Sequence, residues 1–269
     1  MGTQIQIEVV RPGETNIASI SICSLGFPAY YEIVDGGLRI ITIFYGVITA
    51  SHCGYVNNRV YQNVTGSNNY IGYMRDEGRF SYGDVIVDPN GIDATFIVVE
   101  SYTYKIGDPR PKPQIVSHYI HHRGTTVPIE SYIASEQDLW NAYNQLTIIK
   151  AGRTTGYEAG RIVLCRTNPP SIACIHEVLG WFFLTTAYAS PGDSGGPHYA
   201  FVQRSPLSAE IVVKVYGISI AMAPSSGIQY GEVTSNCIID NGVWLCMPTF
   251  VAILYNITQY LNVIPYSGG

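Results

Sequence analysis

The sequence predicts an all-β protein with a helix near its C-terminus. Nine segments of the 269-residue chain are rich in valine, isoleucine, threonine, tyrosine and phenylalanine, and turn residues separate them, which is the pattern of short strands. The composition agrees, because 27 glycines, 15 prolines and 21 tyrosines accompany only 13% charged residues. The predicted strands are 38–48, 84–87, 94–99, 145–150, 161–165, 181–186, 197–202, 211–220 and 242–247.

Two segments are predicted to be helical. Residues 136–143 form a short helix with Ser135 as its N-cap, because a serine side chain satisfies backbone N–H groups where a helix begins. The second helix covers 249–262, since its apolar residues recur at helical spacing. These residues are Phe250, Ile253, Leu254, Ile257 and Leu261. We interpret this apolar stripe as part of the core.

A change in composition divides the chain near its middle. Between about residues 106 and 126, glycine, three prolines and basic residues replace the strand pattern, which is typical of a connection between domains. We therefore predict an N-terminal domain at 1–115 and a C-terminal domain at 116–269. A chain of this length buries enough apolar surface for one or two domains.

A glycine-rich motif around Ser194 is the most informative part of the sequence. It reads Gly-Asp-Ser-Gly-Gly-Pro from residue 192 to residue 197, which predicts an exposed serine on a tight turn. The alternative is a glycine-rich turn with no chemistry, in which the aspartate and serine only cap the backbone. A serine hydroxyl becomes a nucleophile only when a base lies within hydrogen-bond reach and a third group orients that base.

His52 and Asp93 are the residues that best supply this base and this third group. His52 follows an apolar, strand-like run, and a neutral imidazole is the natural general base at neutral pH. A buried histidine with only a structural role is the alternative. Asp93 opens the predicted strand 94–99, where a carboxylate needs a partner to offset its desolvation. Its rivals are Asp84, which more simply begins a strand, and Asp88, which precedes a proline in a turn.

The order His52, Asp93 and Ser194 resembles that of the chymotrypsin-like serine proteases. The three residues stand in the contexts T-A-S-H-C, D-A-T-F and G-D-S-G-G-P. Two further segments, C-S-L-G-F at 23–27 and G-R-T-T-G-Y at 152–157, are similar to the secreted bacterial branch of the streptogrisin and α-lytic protease type. The resemblance covers nearly the whole chain, with insertions.

This resemblance implies a fold and an activity. The fold is the trypsin-like one, with two six-stranded antiparallel Greek-key barrels followed by the C-terminal helix and the active site between the barrels. The activity is that of a serine endopeptidase without cofactor or metal, in which His52 is the base, Asp93 orients it and Ser194 is the nucleophile. The backbone N–H groups of Gly192 and Ser194 are expected to form the oxyanion hole.

The six cysteines are expected to form three disulfides. The resemblance implies a bridge between Cys23 and Cys53, next to the predicted base. The other two bridges are predicted as local hairpin clips, because turn residues separate cysteines nine positions apart. They join Cys165 to Cys174 and Cys237 to Cys246. Where the bacterial relatives carry a further pair, this chain has Ile149 and Ala159.

Asp193 needs a cation if the chain resembles this family. In animal relatives a newly released amino terminus pairs with the matching aspartate, but no I-V-G-G-type start is present in this sequence. The bacterial branch uses an arginine just before the T-T-G signature, and the aligned residue here is Lys150. We therefore predict that Lys150 pairs with Asp193, with Arg153 as the alternative cation.

The predicted specificity pocket departs from the family pattern. Tyr188 stands where trypsin-like members place a charged pocket floor, and no acidic residue lies between 180 and 192, so cleavage after lysine or arginine is not expected. Either Ser219, by a shift of one residue, or Ile220 occupies the position of the substrate-binding serine. Met222 stands where glycine is usual and would narrow the pocket. These residues predict cleavage after neutral apolar side chains.

The composition also bears on partners and location. A net charge of −5 provides no basic surface for nucleic acid, and no run of 18 apolar residues predicts a membrane span. We expect a monomer that acts on polypeptides. No positively charged, apolar leader opens the sequence. The even cysteine count and the sequons at 63–65 and 256–258 nevertheless favour secretion after removal of a signal, with the interior of a hyperthermophile as the alternative for the cysteines.

Two other functions fit parts of the sequence. The first is a pseudoprotease, a binding module that retains the fold without hydrolysis; the altered segment around Ser219 favours it, and the intact His52, Asp93 and Ser194 argue against it. The second is an esterase of another fold, which would share G-x-S-x-G but place its histidine after the serine. A metal site at 121–123 is not expected, because adjacent strand residues point to opposite faces.

Overall fold

The protein consists of 22 strands and two α-helices in the part of the chain that the structure describes. The structure is a computed structural model that describes residues 2–75, 81–82, 85–86, 91–130, 134–143, 145–165, 169–176, 180–222, 237–240, 243–246 and 249–268. The elements of the first half are β1 (Gln4–Val9), β2 (Ser19–Ser24), β3 (Pro28–Asp35), β4 (Ile40–Thr49), β5 (Arg59–Gln62), β6 (Tyr70–Met74), β7 (Ser81–Tyr82), β8 (Val85–Ile86), β9 (Thr95–Lys105), β10 (Tyr119–His122) and β11 (Thr125–Pro128).

The elements of the second half follow in chain order. They are α1 (Glu136–Ala142), β12 (Ile148–Gly152), β13 (Gly156–Gly160), β14 (Ile162–Val163), β15 (Cys174–His176), β16 (Gly180–Thr185), β17 (Pro197–Gln203), β18 (Ile211–Met222), β19 (Cys237–Asp240), β20 (Val243–Cys246), β21 (Thr249–Ile253), α2 (Leu254–Leu261) and β22 (Ile264–Pro265). Two single-turn 3-10 helices, Ser51–Cys53 and Ser67–Asn69, lie in the first half.

Most strands belong to two antiparallel sheets. The first sheet has the order β2-β1-β5-β6-β9-β4-β3-β22. The second sheet has the order β13-β12-β17-β18-β21-β16-β14, with β15 also paired to β16. The all-β fold with two antiparallel sheets and a C-terminal helix is therefore confirmed. Each sheet has eight strands where six were expected, because short strands such as β14, β15 and β22 pair at or near the edges.

The strands of the first sheet precede residue 115 and those of the second sheet follow it, except β22; the division into two domains stays a prediction. β22 follows the second sheet in the chain but pairs with β3 at the edge of the first sheet. Tyr266 explains this return, because its ring packs against the rings of Tyr30 and Tyr45 in the first sheet. The segment predicted as a plain connection, 106–126, also contains β10 and part of β11, which form a hairpin.

The first helix agrees with its prediction, and the second is shorter than predicted. Ser135 caps α1 in a reciprocal arrangement, in which its side chain accepts from the N–H of Asp138 and the Asp138 carboxylate accepts from the N–H of Ser135. The second helix begins at Leu254 and not at 249. The five preceding residues are all buried and form β21 between β18 and β16, as a continuous apolar run in a sheet interior does. In the described part of the chain, no helix has the length and apolar character needed to cross a membrane.

One cluster of buried apolar side chains extends through both sheets. It includes Phe27, which directly precedes β3, Phe96 from the first sheet, and Phe183 and Val251 from the second. Apolar packing across the boundary fixes one sheet against the other, since cores are close-packed and do not deform continuously. Side chains that meet at this boundary are therefore held in a defined geometry.

Two of the three predicted disulfides are present among the described side chains. Cys23 is bonded to Cys53, and Cys165 is bonded to Cys174. The backbones of Cys237 and Cys246 lie directly opposite each other in the β19–β20 pair. Their side chains lie outside the described part, so the third bridge stays a prediction.

Candidate active site

Strand register brings Asp93 to His52. β4 and β9 are neighbours in the first sheet, and Thr49 lies opposite Thr95. His52 lies in the 3-10 turn that follows β4, and Asp93 lies two residues before β9 begins. Because the strands are antiparallel, both residues emerge at the same end of the pair. The sequence therefore needs only the correct register to bring an imidazole and a carboxylate together.

The Asp93 carboxylate holds His52 by two separate contacts. One carboxylate oxygen, Oδ2, lies 2.6 Å from Nδ1 of the ring. The other, Oδ1, accepts from the backbone N–H of His52 at 2.9 Å and from Oγ of Ser51 at 2.8 Å. This arrangement fixes the orientation of the imidazole and favours the proton on Nδ1. Nε2 is then the ring nitrogen that can accept a proton from a nucleophile.

The electrostatics of this pair keep the carboxylate charged. The side chain of Asp93 is 10% exposed, whereas that of His52 is 42% exposed. Burial alone would raise the pKa of Asp93, but the positive charge of the imidazolium and the hydrogen bonds from His52 and Ser51 lower it overall. The pair thus combines a buried anion with a base that solvent or a substrate can reach. The rival carboxylates, Asp84 and Asp88, lie outside the described residues.

Ser194 lies in a turn, residues 190–196, that connects β16 to β17; we call it the nucleophile turn. Two glycines in it have positive φ angles, +96° at Gly192 and +87° at Gly195, where other residues are strained. The N–H of Asp193 donates to the carbonyl of Ser190, and the N–H of Gly196 donates to that of Asp193. These bonds produce the tight turn that the glycine-rich motif predicted.

The nucleophile turn packs directly against the end of β4 and the end of β2. The N–H of Ser24 donates to the carbonyl of Ser194 at 2.7 Å. A Cβ atom placed on Gly195 would collide with the side chain of Thr49 and lie 3.0 Å from the backbone nitrogen of Ala50. Thr49 and Ala50 lead directly into His52. The structure therefore brings the segments that carry all three predicted residues to one boundary between the sheets.

The predicted ion pair between Lys150 and Asp193 is present. Lys150 Nζ lies 2.8 Å from Asp193 Oδ2, and the two side chains are 0% and 1% exposed. Lys150 lies on β12, opposite His198 of β17. This position in the sheet places its side chain next to the nucleophile turn. The alternative cation, Arg153, instead donates from its side chain to Gln4.

Asp193 has more hydrogen-bond donors than its cation alone. Its Oδ1 accepts from the N–H groups of Thr154 and Thr155, and its Oδ2 accepts from the Thr155 hydroxyl and the N–H of Ser190. Burial opposes ionisation of this carboxyl, but Lys150 and these donors lower the pKa of Asp193 overall. Burial lowers the pKa of Lys150, because its charge is removed from water. The carboxylate thus fixes both the turn and the 154–155 loop.

The predicted pocket residues differ in their accessibility. Tyr188 is 43% exposed, while Ser219 and Ile220 are buried. The backbone of Ser219 exchanges two hydrogen bonds with Gly195 and Gly196. The register of β18 against β21 shifts between Ser219 and Ala221, which leaves Ile220 as the bulged residue. The Met222 side chain lies outside the described part.

The Ser219 hydroxyl is directed into the protein interior. It lies 2.8 Å from Nε2 of His198, a histidine that is itself fully buried. Burial lowers the pKa of His198 well below its usual value, and the nearby charge of Lys150 acts in the same direction. The histidine is therefore neutral. Ser219 and His198 form a polar contact behind the bulge, which the sequence did not reveal.

The described residues also contain one group whose atoms lie close enough to ligate a metal. It consists of Cys23, His52 and Cys53. The two sulfur atoms are bonded to each other, and His52 is bonded to Asp93. Cysteine binds a metal as the thiolate, and neither sulfur of this bridge is one, so the group is a disulfide beside a histidine.

The chain was compared with known proteins. Among solved structures, it is similar to a protein described as a glutamic acid specific serine protease that utilizes a novel histidine triad in substrate binding. The two are 18% identical, and the similarity covers 91% of this chain and 94% of the other, with a TM-score of 0.45. No family model and no curated protein matches the sequence.

Sequence reasoning missed several polar residues that shape this site. They are Ser24, Ser51, Thr154, Thr155 and His198. Ser24, Ser51 and His198 are fully buried, and each is bonded to a predicted site residue or to the nucleophile turn. Ser51 stands next to His52 and could have been recognised as a second donor to Asp93. The contacts of Ser24 and Thr154 join segments that are distant in the sequence, so no local pattern indicates them.

Proposed function

We propose that this chain is a serine endopeptidase of the chymotrypsin-like class. The proposal rests on the two contacts by which Asp93 holds His52, one to its ring and one to its backbone. They lie at the boundary between the two sheets, where the nucleophile turn also packs. Asp93 bonds both the ring and the backbone of His52, while Ser194 is anchored through Ser24 beside the same segment. A structural histidine needs neither an oriented ring nor a neighbouring serine on a strained turn.

In the proposed reaction, Ser194 Oγ adds to the carbonyl carbon of a peptide bond while His52 Nε2 accepts the hydroxyl proton. Asp93 stabilises the imidazolium that forms. The C–N bond then breaks, His52 returns the proton to the leaving amine, and an acyl ester on Ser194 remains. Water attacks this ester with His52 again as base, which releases the acid and regenerates the hydroxyl.

Two backbone N–H groups are available for the developing oxyanion. In the described part of the chain, the N–H groups of Gly192 and Ser194 have no hydrogen-bond partner, whereas those of Asp193, Gly195 and Gly196 all donate. An N–H that is fixed in a rigid turn and left without an acceptor is suited to bind a substrate oxygen. We assign the oxyanion hole to these two groups.

The proposed substrates are polypeptides with neutral apolar side chains before the cleaved bond. No carboxylate lies between 180 and 192 to bind a basic side chain, and the buried, apolar Ile220 belongs to the expected pocket wall. The Lys150–Asp193 pair supports an enzyme whose turn needs no new amino terminus. The Cys23–Cys53 and Cys165–Cys174 bridges support secretion, because disulfides persist in oxidising environments. We also propose that the protein acts as a monomer.

A fluorophosphonate probe tests the proposed nucleophile directly. We expect the unmodified protein to be labelled at Ser194, as located by mass spectrometry of its peptides, and the Ser194→Ala variant to remain unlabelled. The matched variant Asp93→Asn keeps the shape of the carboxylate but favours the wrong imidazole tautomer, so its rate should fall by about 10⁴. Equal labelling of Ser194→Ala, or an unchanged rate in Asp93→Asn, would contradict the triad.

Cleavage of a peptide library then tests the proposed specificity. We expect cuts after neutral apolar residues and none after lysine or arginine. A preference for charged residues at this position would contradict the pocket assignment and leave the triad intact. If the folded protein binds peptides but neither cuts them nor reacts with the probe, the chain is a binding module with this fold.

A further inference from the structure

The peptide group that precedes Gly192 is held from outside the nucleophile turn. The hydroxyl of Thr154 donates to the carbonyl oxygen of Pro191 at 2.7 Å. This carbonyl and the N–H of Gly192 belong to the same planar peptide group, and in a trans peptide they point in opposite directions. A hydrogen bond that fixes the Pro191 carbonyl on one side therefore fixes the Gly192 N–H on the other.

The peptide group that follows Gly192 is also held. Its carbonyl oxygen accepts from the hydroxyl of Ser24 at 2.8 Å, and Ser24 Oγ in turn accepts from the N–H of Arg153 at 2.9 Å. Glycine adopts many backbone conformations, and Gly192 has a φ of +96°. Without these two bonds, the peptide group before Gly192 would lose its restraint, and the one after it would keep only the bond from the Asp193 N–H to Ser190. With them, the conformation is restricted from both sides.

Thr154 is itself fixed by the buried ion pair. Its N–H donates to Asp193 Oδ1 at 2.7 Å. This bond fixes the backbone from which the Thr154 side chain extends. A Cβ atom placed on Gly192 would lie 2.6 Å from the Thr154 hydroxyl. The hydroxyl therefore occupies the space next to Gly192 that a larger residue at that position would need. Lys150 and Asp193 thus act on Gly192 through Thr154.

We propose that Thr154 is a positioning residue for the oxyanion hole. Its hydroxyl, together with that of Ser24, aims the N–H of Gly192 at the substrate oxygen, and neither residue touches the substrate. This inference rests on the proposed protease function. It adds that these two hydroxyls determine the orientation of one oxyanion donor, the Gly192 N–H. We call this arrangement the clamp; its four groups are the Thr154 and Ser24 hydroxyls and the carbonyls of Pro191 and Gly192 that accept from them.

The matched pair Thr154→Val and Thr154→Ser tests the clamp. Valine keeps the branched shape and removes the donor, while serine keeps the donor and removes a methyl group. Complete loss of an oxyanion donor lowers kcat by about 10²–10³. For a donor that is present but poorly aimed, we expect Thr154→Val to lower kcat by roughly 10–100-fold, a part of that range. KM and the pH profile should stay unchanged, because an oxyanion donor acts mainly on the charge that develops in the transition state and the His52–Asp93 pair is unaffected.

Rescue separates positioning from a general structural role. We expect Thr154→Ser to retain kcat close to that of the unmodified protein, and Ser24→Ala to lower kcat in the same direction as Thr154→Val. Thermal unfolding of each variant shows whether the fold is intact. Unchanged kcat in Thr154→Val, or equal losses in the valine and serine variants, would overturn the proposal.

The clamp and the protease function can fail separately. If the unmodified protein is not labelled at Ser194 by a fluorophosphonate, the proposed function fails. In that case a crystal structure of Thr154→Val still decides about the clamp. A rotated peptide between Pro191 and Gly192 would support it, and the same orientation as with threonine would overturn it. If the unmodified protein is labelled but Thr154→Val is labelled at the same rate, only the clamp fails.

Discussion

Replacing Lys150 by methionine should destabilise the protein strongly. Methionine keeps the unbranched shape and removes the charge, which leaves the carboxylate of Asp193 buried without its cation. Breaking a buried ion pair from one side costs about 3–5 kcal/mol. Three N–H groups and the hydroxyl of Thr155 still donate to this carboxylate, so we expect the lower end, about 3 kcal/mol.

Urea unfolding at pH 7, followed by tryptophan fluorescence with the disulfides intact, measures this loss. A loss of about 3 kcal/mol corresponds to a fall in Tm of roughly 6–12 °C for a chain of this size. The control is the double variant Lys150→Met with Asp193→Asn, which removes both charges. Because the two side chains are in direct contact, the double variant should lose less than the sum of the single variants, with a coupling of about 1–3 kcal/mol.

Two results would refute this reasoning. One is a loss below about 1 kcal/mol in Lys150→Met, a value typical of exposed ion pairs. The other is strict additivity of the two single variants, which would mean that the charges do not depend on each other. Either result would mean that solvent or another group compensates the Asp193 charge.

Three further predictions concern stability. Replacing both Cys23 and Cys53 by serine opens a bridge across 30 residues of separation and should cost about 3–4 kcal/mol in denaturant unfolding; a negligible loss would contradict it. Burial alone would raise the pKa of Glu100, but the Tyr102 hydroxyl and three backbone N–H groups at 114–116 lower it overall. The stabilisation that the charged Glu100 carboxylate provides is therefore complete above the ordinary carboxyl pKa. It is lost as the pH falls through the lowered pKa that Glu100 has in the folded protein. Scans of Tm against pH should thus show Glu100→Gln less stable than the unmodified protein at pH 7, with a difference that narrows as the pH falls below the ordinary carboxyl pKa, and parallel curves would contradict this. Ser135→Ala removes a helix cap and should lower the free energy of unfolding by about 1 kcal/mol, whereas an unchanged value would show that the cap is not needed.

The sequence predicted the second sheet better than the first. All nine predicted strand segments overlap strands of the structure, but several strands of the first half were not predicted. β1 carried a usable signal, because its residues alternate between polar and apolar and its two isoleucines, Ile5 and Ile7, are fully buried. β5 and β6 are short, and β6 exposes two tyrosines, Tyr70 and Tyr73. Their pairing depends on neighbours that are distant in the sequence.

The boundary between β21 and α2 could not be read from the sequence. The apolar residues of 249–261 satisfy helical spacing, and the same run satisfies a buried strand. The structure divides it at Leu254 because β18 and β16 leave a gap that β21 fills. Tertiary context decides such cases, since propensity is only a weak preference.

The candidate site was predictable where a sequence motif indicated which residues belong together. The resemblance implied a cation for Asp193 just before the T-T-G signature, which indicated Lys150, and the structure contains this pair. The aligned positions Ile149 and Ala159 lie opposite each other in the β12–β13 pair. No such motif indicated the contacts of Thr154 and Ser24 with the nucleophile turn. Serine and threonine are common in loops, and only the packing of one sheet on the other gives these two hydroxyls their acceptors.

The return of β22 to the first sheet has a consequence for biosynthesis. The ribosome completes β3 long before it makes β22, so the edge of the first sheet lacks its neighbour while the second sheet is translated. N-terminal parts of a chain generally begin to fold as they emerge, and an unpaired edge is a template for aggregation. Residues 1–115 expressed alone should therefore aggregate more readily than the whole chain, which the soluble fraction of each measures.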